Sequence, residues 1–133
     1  MDETKNIKEE IEKSIKKGIA FFQKLSRKQK DKILTLLRRV QEIQNSNLSG
    51  TEKAKEIKKI MWTKQSVKSK LFIGGFLGTI IGIAVFGTGG IGIAGLGGAV
   101  GIWGFLAGTA GGVIVSSLIQ NFEKDFNNDT KEN

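Results

Sequence analysis

Over the first seventy residues apolar positions recur at three- and four-residue intervals, and from Leu71 to Ile119 they run almost without interruption. Ile7, Ile11, Ile15, Ile19 and Phe22, separated by Lys and Glu, predict an amphipathic helix over residues 3–25. Ser26 followed by Gln29 has the form of a capping box. Ile33, Leu34, Leu37, Val40 and Ile43 then predict a second amphipathic helix that ends near Asn45. The turn formers NSNLSG, residues 45–50, close it, and Ser49 with Glu52 predicts the cap of a third helix. The face of that helix, Ala54, Ile57, Ile60, Met61, Val67 and Leu71, leads into the apolar run with no break expected.

The run itself, residues 71–119, holds no charge, and sixteen of its forty-nine residues are glycine. Residues 71–86 predict one apolar helix, short enough to borrow from its flanks, and residues 99–119 predict another. The second has about the length needed to cross a hydrocarbon core of roughly 30 Å. Between them GTGGIGIAGLGG, residues 87–98, invites a reversal. The expected fold is therefore all-α, with N-terminal amphipathic helices followed by a Gly-rich hydrophobic transmembrane helical hairpin. The chain divides into a basic amphipathic helical regulatory region (1–70), the membrane-inserting hairpin (71–119) and a polar acidic tail (120–133).

Glycine in a helix interior costs about 1 kcal/mol relative to alanine, so this run is a poor helix in isolation. In return a face without side chains lets another backbone approach closely. Gly74, Gly78 and Gly82 stand four apart in the first arm, and Gly104, Gly108 and Gly112 do so in the second. Each trio has the form of a glycine zipper and marks a candidate oligomerisation or pore-lining face. The alternative is that the glycines only pack the two arms together. Phe72, Ile73, Phe76, Leu77, Ile80 and Ile81 form the expected lipid-facing set. Trp62 and Trp103 are candidates for the two membrane interfaces, and Lys64, Lys68 and Lys70 for contact with near-side headgroups. The uncharged loop 87–98 makes insertion after synthesis physically plausible. Before insertion the hairpin can shelter beneath the apolar stripes of the preceding helices, of which Ile11, Ile15, Ile19 and Phe22 form the expected regulatory or partner face.

Charge sharpens this division. Residues 1–70 carry 19 Lys and Arg against 9 Asp and Glu, residues 71–122 carry none, and the whole chain has a net charge of +8. A basic flank beside a long apolar run fits a lipid bilayer as partner. The lysines are interleaved with acids on helix faces, which argues against nucleic acid. With no Cys and no His, thiolate and imidazole chemistry is excluded, and no metal or cofactor is expected. The glycine-rich run lacks the Lys-Ser or Lys-Thr of a phosphate loop. The first residues lack the basic start and apolar core of a secretory signal, so the expected location is the cytoplasm before activation and the cell membrane afterwards.

FGTGGIGIAGLGGAVGIW, residues 86–103, with its flanking zippers, resembles the glycine-rich hairpins of small bacterial membrane effectors, including ring-interacting pore proteins of anti-phage defence. The resemblance covers about residues 71–119. It implies a homo-oligomer that multimerises on a ring-shaped phage protein, opens a membrane pore and kills the infected cell. Similar hairpins occur in bacteriocins, holins and plain membrane anchors, so a non-permeabilising scaffold stays open beside the pore-forming effector.

Overall fold

The computed structural model describes residues 3–86 and 100–132, and the expected reversal at 87–98 lies outside them. The described residues form six α-helices: α1 (Glu3–Gln23), α2 (Arg27–Gln44), α3 (Gly50–Lys58), α4 (Val67–Phe86), α5 (Val100–Ala107) and α6 (Thr109–Glu132). No strand occurs among them, as the all-α expectation requires.

Local chemistry sets the first boundaries. The Ser26 hydroxyl accepts from the Gln29 N–H at 3.2 Å while the Gln29 side chain accepts from the Ser26 N–H at 3.1 Å, so the capping box that opens α2 is complete. Ser49 caps α3 through the Glu52 N–H at 3.2 Å. At the other end of α2, Lys53 donates to the Gln44 carbonyl at 2.8 Å, which satisfies one of the terminal acceptors a helix leaves open.

Two predicted continuities fail. Helix α3 does not run straight into the apolar segment: it widens into a π turn, Lys59–Thr63, closed by the Lys64 N–H on the Lys59 carbonyl at 3.0 Å. Gln65 then folds its side-chain amide onto the Ile60 carbonyl at 2.7 Å. Helix α4 begins afresh with the Ser66 hydroxyl accepting from the Ser69 N–H at 3.2 Å. The second apolar arm is likewise not one helix. Helix α5 ends at Ala107, the Gly108 N–H turns back to the Phe105 carbonyl at 3.1 Å, and α6 starts at Thr109.

The predicted tail, from residue 120, is the far half of α6 and belongs to the core. Phe122 is fully buried, its ring stacked on Phe22 with centroids 3.9 Å apart and planes 5° from parallel. Phe76 meets Phe122 at 5.9 Å, and Phe21 meets Phe76 at 5.7 Å, so four rings from α1, α4 and α6 converge. Burial of one such ring stabilises the fold by about 1.5–3 kcal/mol. Lys30 of α2, 5 % exposed, pairs with Asp125 of α6 at 2.9 Å. The Arg27 guanidinium lies 4.3 Å from the Phe126 ring centre.

In this arrangement α1 packs on α4 and α6, α2 packs on α6, and α3 packs on α5. One hydrophobic cluster draws on all three predicted segments: Phe22, Ile33 and Leu37 from the basic half, Ile73, Phe76 and Ile80 from the apolar run, and Phe122 from beyond it.

Candidate functional site

The apolar run is the candidate site, and residues 72–80 of its first arm lie largely against protein. In α4 the side chains of Ile73, Phe76, Leu77 and Ile80 are buried, while Phe72 is half-buried; these five of the residues expected to face lipid pack against protein in this structure, and the side chain of the sixth, Ile81, lies outside the described ones. Gly74 and Gly78 are buried with them, and Gly82 lies further along the same helix. The opposite face of α4 is open, with Leu71 and Gly75 exposed.

Helix α1 covers α4, and the line of closest approach between them is made by small residues. Ser14, fully buried, donates its hydroxyl to the Ile80 carbonyl. One turn on, Gly18 is buried where a β-carbon would lie 2.9 Å from Leu118 Cδ2 and 3.1 Å from Ile80 Cδ1, so two helices approach α1 there more closely than an ordinary side chain allows. One turn further comes Phe22, against Phe122. Ile11, Ile15 and Ile19, the predicted partner face, are half-buried on the flanks of this line, and Phe22 alone of that set is fully enclosed. Sequence periodicity selects the isoleucines and passes over Ser14 and Gly18. The available signal is that Ser14, Gly18 and Phe22 also stand four apart, on the same side.

The second arm is organised differently. Because the helix is interrupted at Gly108, Gly104, Gly108 and Gly112 do not share one continuous helical face as their spacing predicted. Gly104 and Gly108 are exposed, Gly112 is half-exposed, and a β-carbon at Gly104 or Gly112 would meet nothing within 4 Å. The close approach falls on Gly111, which is buried; a β-carbon there would sit 2.6 Å from Leu106 Cα and against the Phe105 carbonyl. Gln44 donates to the Leu106 carbonyl at 2.6 Å and holds the end of α5 against α2. Gly104 and Gly108 form, with Ala107 and Trp103, one wall of a groove of about 580 Å³ whose other wall is Gly50, Ala54, Lys55 and Lys58 of α3.

The predicted interface residues separate into two groups. Trp62 and Trp103 are buried, at 8 % and 2 % exposure, and pack in the core. Lys64 and Lys68 are exposed, and the half-buried Lys70 holds its ammonium 5.5 Å from the centre of the Trp62 ring. Among the described residues no helix is long and apolar enough to cross a membrane. The break at Gly108 divides the second arm, and α4 spends its first turn on Lys68, Ser69 and Lys70. No group of three or more acidic side chains converges as a metal site needs, again among the described residues. Comparison with protein-family models, curated proteins and solved structures finds no match to the chain.

Proposed function

We propose that this protein is an oligomerising, membrane-permeabilising effector, folded with its apolar run partly covered and converted to a transmembrane hairpin when that cover is removed. The observation that carries the reading is the pairing of an uncharged run, one third glycine, with a cover made by close contact of α1, at Ser14 and Gly18, on α4 and α6. A segment free of ions enters hydrocarbon without the few kcal/mol each charge would add. Its glycines then permit helix association in lipid, where apolar burial no longer drives it.

By the resemblance stated above, the setting is bacterial anti-phage defence. A ring-shaped phage protein engages the helical half, and the effector moves from the cytoplasm to the cell membrane. The energetic requirement on such a trigger is that it bind the uncovered form better than the covered one. Lys64, Lys68, Lys70, Trp62 and Trp103 then flank the inserted hairpin at its interfaces, and Gly74, Gly78, Gly82, Gly104, Gly108 and Gly112 form the oligomer contacts. Conversion requires α5 and α6 to join across Gly108, which restores the 104–108–112 face that the folded form interrupts.

Dye release from liposomes tests the proposal. The full chain is expected to release trapped dye, and Gly78→Leu or Gly108→Leu to bind the same vesicles with much reduced release. Membrane binding with no release by the parent chain would make it an anchored scaffold, and undiminished release by both variants would remove the zippers from the mechanism.

A further inference from the structure

The two most exposed large apolar side chains of the described residues stand one turn apart at the start of α4: Val67 at 78 % and Leu71 at 58 %. Being at i and i+4, they share a face. Gly75, one turn further, is also exposed, with the edge of the Phe21 ring 3.6 Å from where a β-carbon would stand, so the open strip ends there. The fold leaves this knuckle uncovered, the mechanism above gives it no role before insertion, and its surroundings are cationic. Lys64 and Lys68 are exposed beside it, Lys68 three residues before Leu71. Lys32 of α2, half-buried, is engaged on the other side of this turn, donating to the buried Ser69 hydroxyl at 2.6 Å.

The acids lie elsewhere. No Asp or Glu occurs between Glu56 and Glu123. Phe21 meets Phe76 while Ser14 meets Ile80, so α1 runs antiparallel to α4, which places Glu9 and Glu12 toward the far end. Asp125 is paired with Lys30, and Asp31 stands exposed next to Lys32.

We infer that this knuckle is the point at which the folded protein first lands on an anionic lipid bilayer, with Val67 and Leu71 entering the interface and Lys64 and Lys68 facing lipid phosphates. The inference rests on the membrane reading above and adds the contact and the lipid class. Charge complementarity selects the occupant. A polyphosphate backbone would satisfy the lysines but leave two aliphatic side chains against a polar surface, and an apolar protein groove would satisfy the aliphatics but leave the lysines idle. An anionic bilayer accepts both at one depth.

The test uses the full chain with vesicles of phosphatidylglycerol and, separately, of phosphatidylcholine, read by co-sedimentation and by Trp fluorescence. Binding is expected to phosphatidylglycerol, and to weaken as salt is raised. Val67→Ser with Leu71→Ser is expected to lower partitioning by on the order of tenfold or more, and Lys64→Gln with Lys68→Gln by on the order of thirtyfold. All four side chains are exposed, so the thermal unfolding midpoint stays at the parent value and folding failure is separable from lost docking. Absence of vesicle binding, equal binding to both lipids, or binding unmoved by either pair overturns the inference. So does lipid-free self-association abolished by the serine pair, which would make the knuckle a contact between copies. Dye release is scored in parallel: binding that depends on the knuckle without release retains the landing site and removes the pore, while release unaffected by the variants does the reverse.

Discussion

Gly111 has no room for one methyl group, because the added carbon would meet the backbone of Phe105 and Leu106, and backbone cannot swing aside as a side-chain tip can. Gly111→Ala is therefore expected to lower stability by about 1–3 kcal/mol in urea unfolding. Gly112→Ala, beside it in sequence and facing open space, is expected to be neutral or to gain up to about 1 kcal/mol from helix propensity. Equal effects would contradict the close turn at Gly108. The contrast also explains what residue spacing conceals. A four-residue period selects Gly104, Gly108 and Gly112 because it assumes one unbroken helix. The break shifts the phase, so the tight contact moves to Gly111, which no zipper pattern includes.

At the scale of elements, the helix α1 is a cover seated on two side-chain tips. The atoms nearest a β-carbon on Gly18 are terminal methyls of Leu118 and Ile80, which can yield to an alanine but have nowhere to go for a leucine. Gly18→Leu is expected to lift α1 from α4 and α6, raising binding of an apolar-surface dye and lowering the protein concentration at which vesicles leak. Ile15→Ser, on the half-buried flank, should change both far less. Indistinguishable variants would mean that α1 is held by its isoleucine flanks. Helix starts at Arg27 and Gly50 were legible because Ser26 with Gln29 and Ser49 with Glu52 write their capping chemistry into four residues. The start at Val67 was not. Its cap, Ser66 on Ser69, lacks the Glu or Gln that completes a box, and the unbroken stripe of Ile57, Ile60 and Met61 suggested continuity. The amphipathic stripes mark the buried faces of α2 and α3, at Ile33, Leu37, Val40 and Ile57, but the third stripe also includes Val67 and Leu71, which are exposed because α4 starts a new helix. Ser14 and Gly18 are neither apolar nor large, so a hydrophobicity pattern passes over the line of closest approach.

For the molecule as a whole, the all-α class follows from composition and periodicity, whereas the role of α6 beyond residue 120 does not. That stretch is mostly polar, with only Phe122 and Phe126 four residues apart, and two aromatic residues in a charged segment do not announce a core helix. Its meaning depends on partners distant in sequence: Phe22 lies one hundred positions earlier and Lys30 ninety-five. This closure by α6 also places the fold on a clock. A chain is made from its N-terminus at roughly 5–20 residues per second, so residues 71 to 122 take about 3 to 10 s to appear. Throughout that interval the apolar run exists without Phe122 and Asp125. Under the proposed function, the choice between folding inward and meeting a membrane is open during translation and narrows once α6 is complete. A chain stopped after Gln120 never reaches the end of that interval. In cell fractionation it is expected to sediment with membranes or aggregates to a greater extent than the full chain. Equal distribution of the two would place the decision after synthesis, in the hands of whatever removes α1.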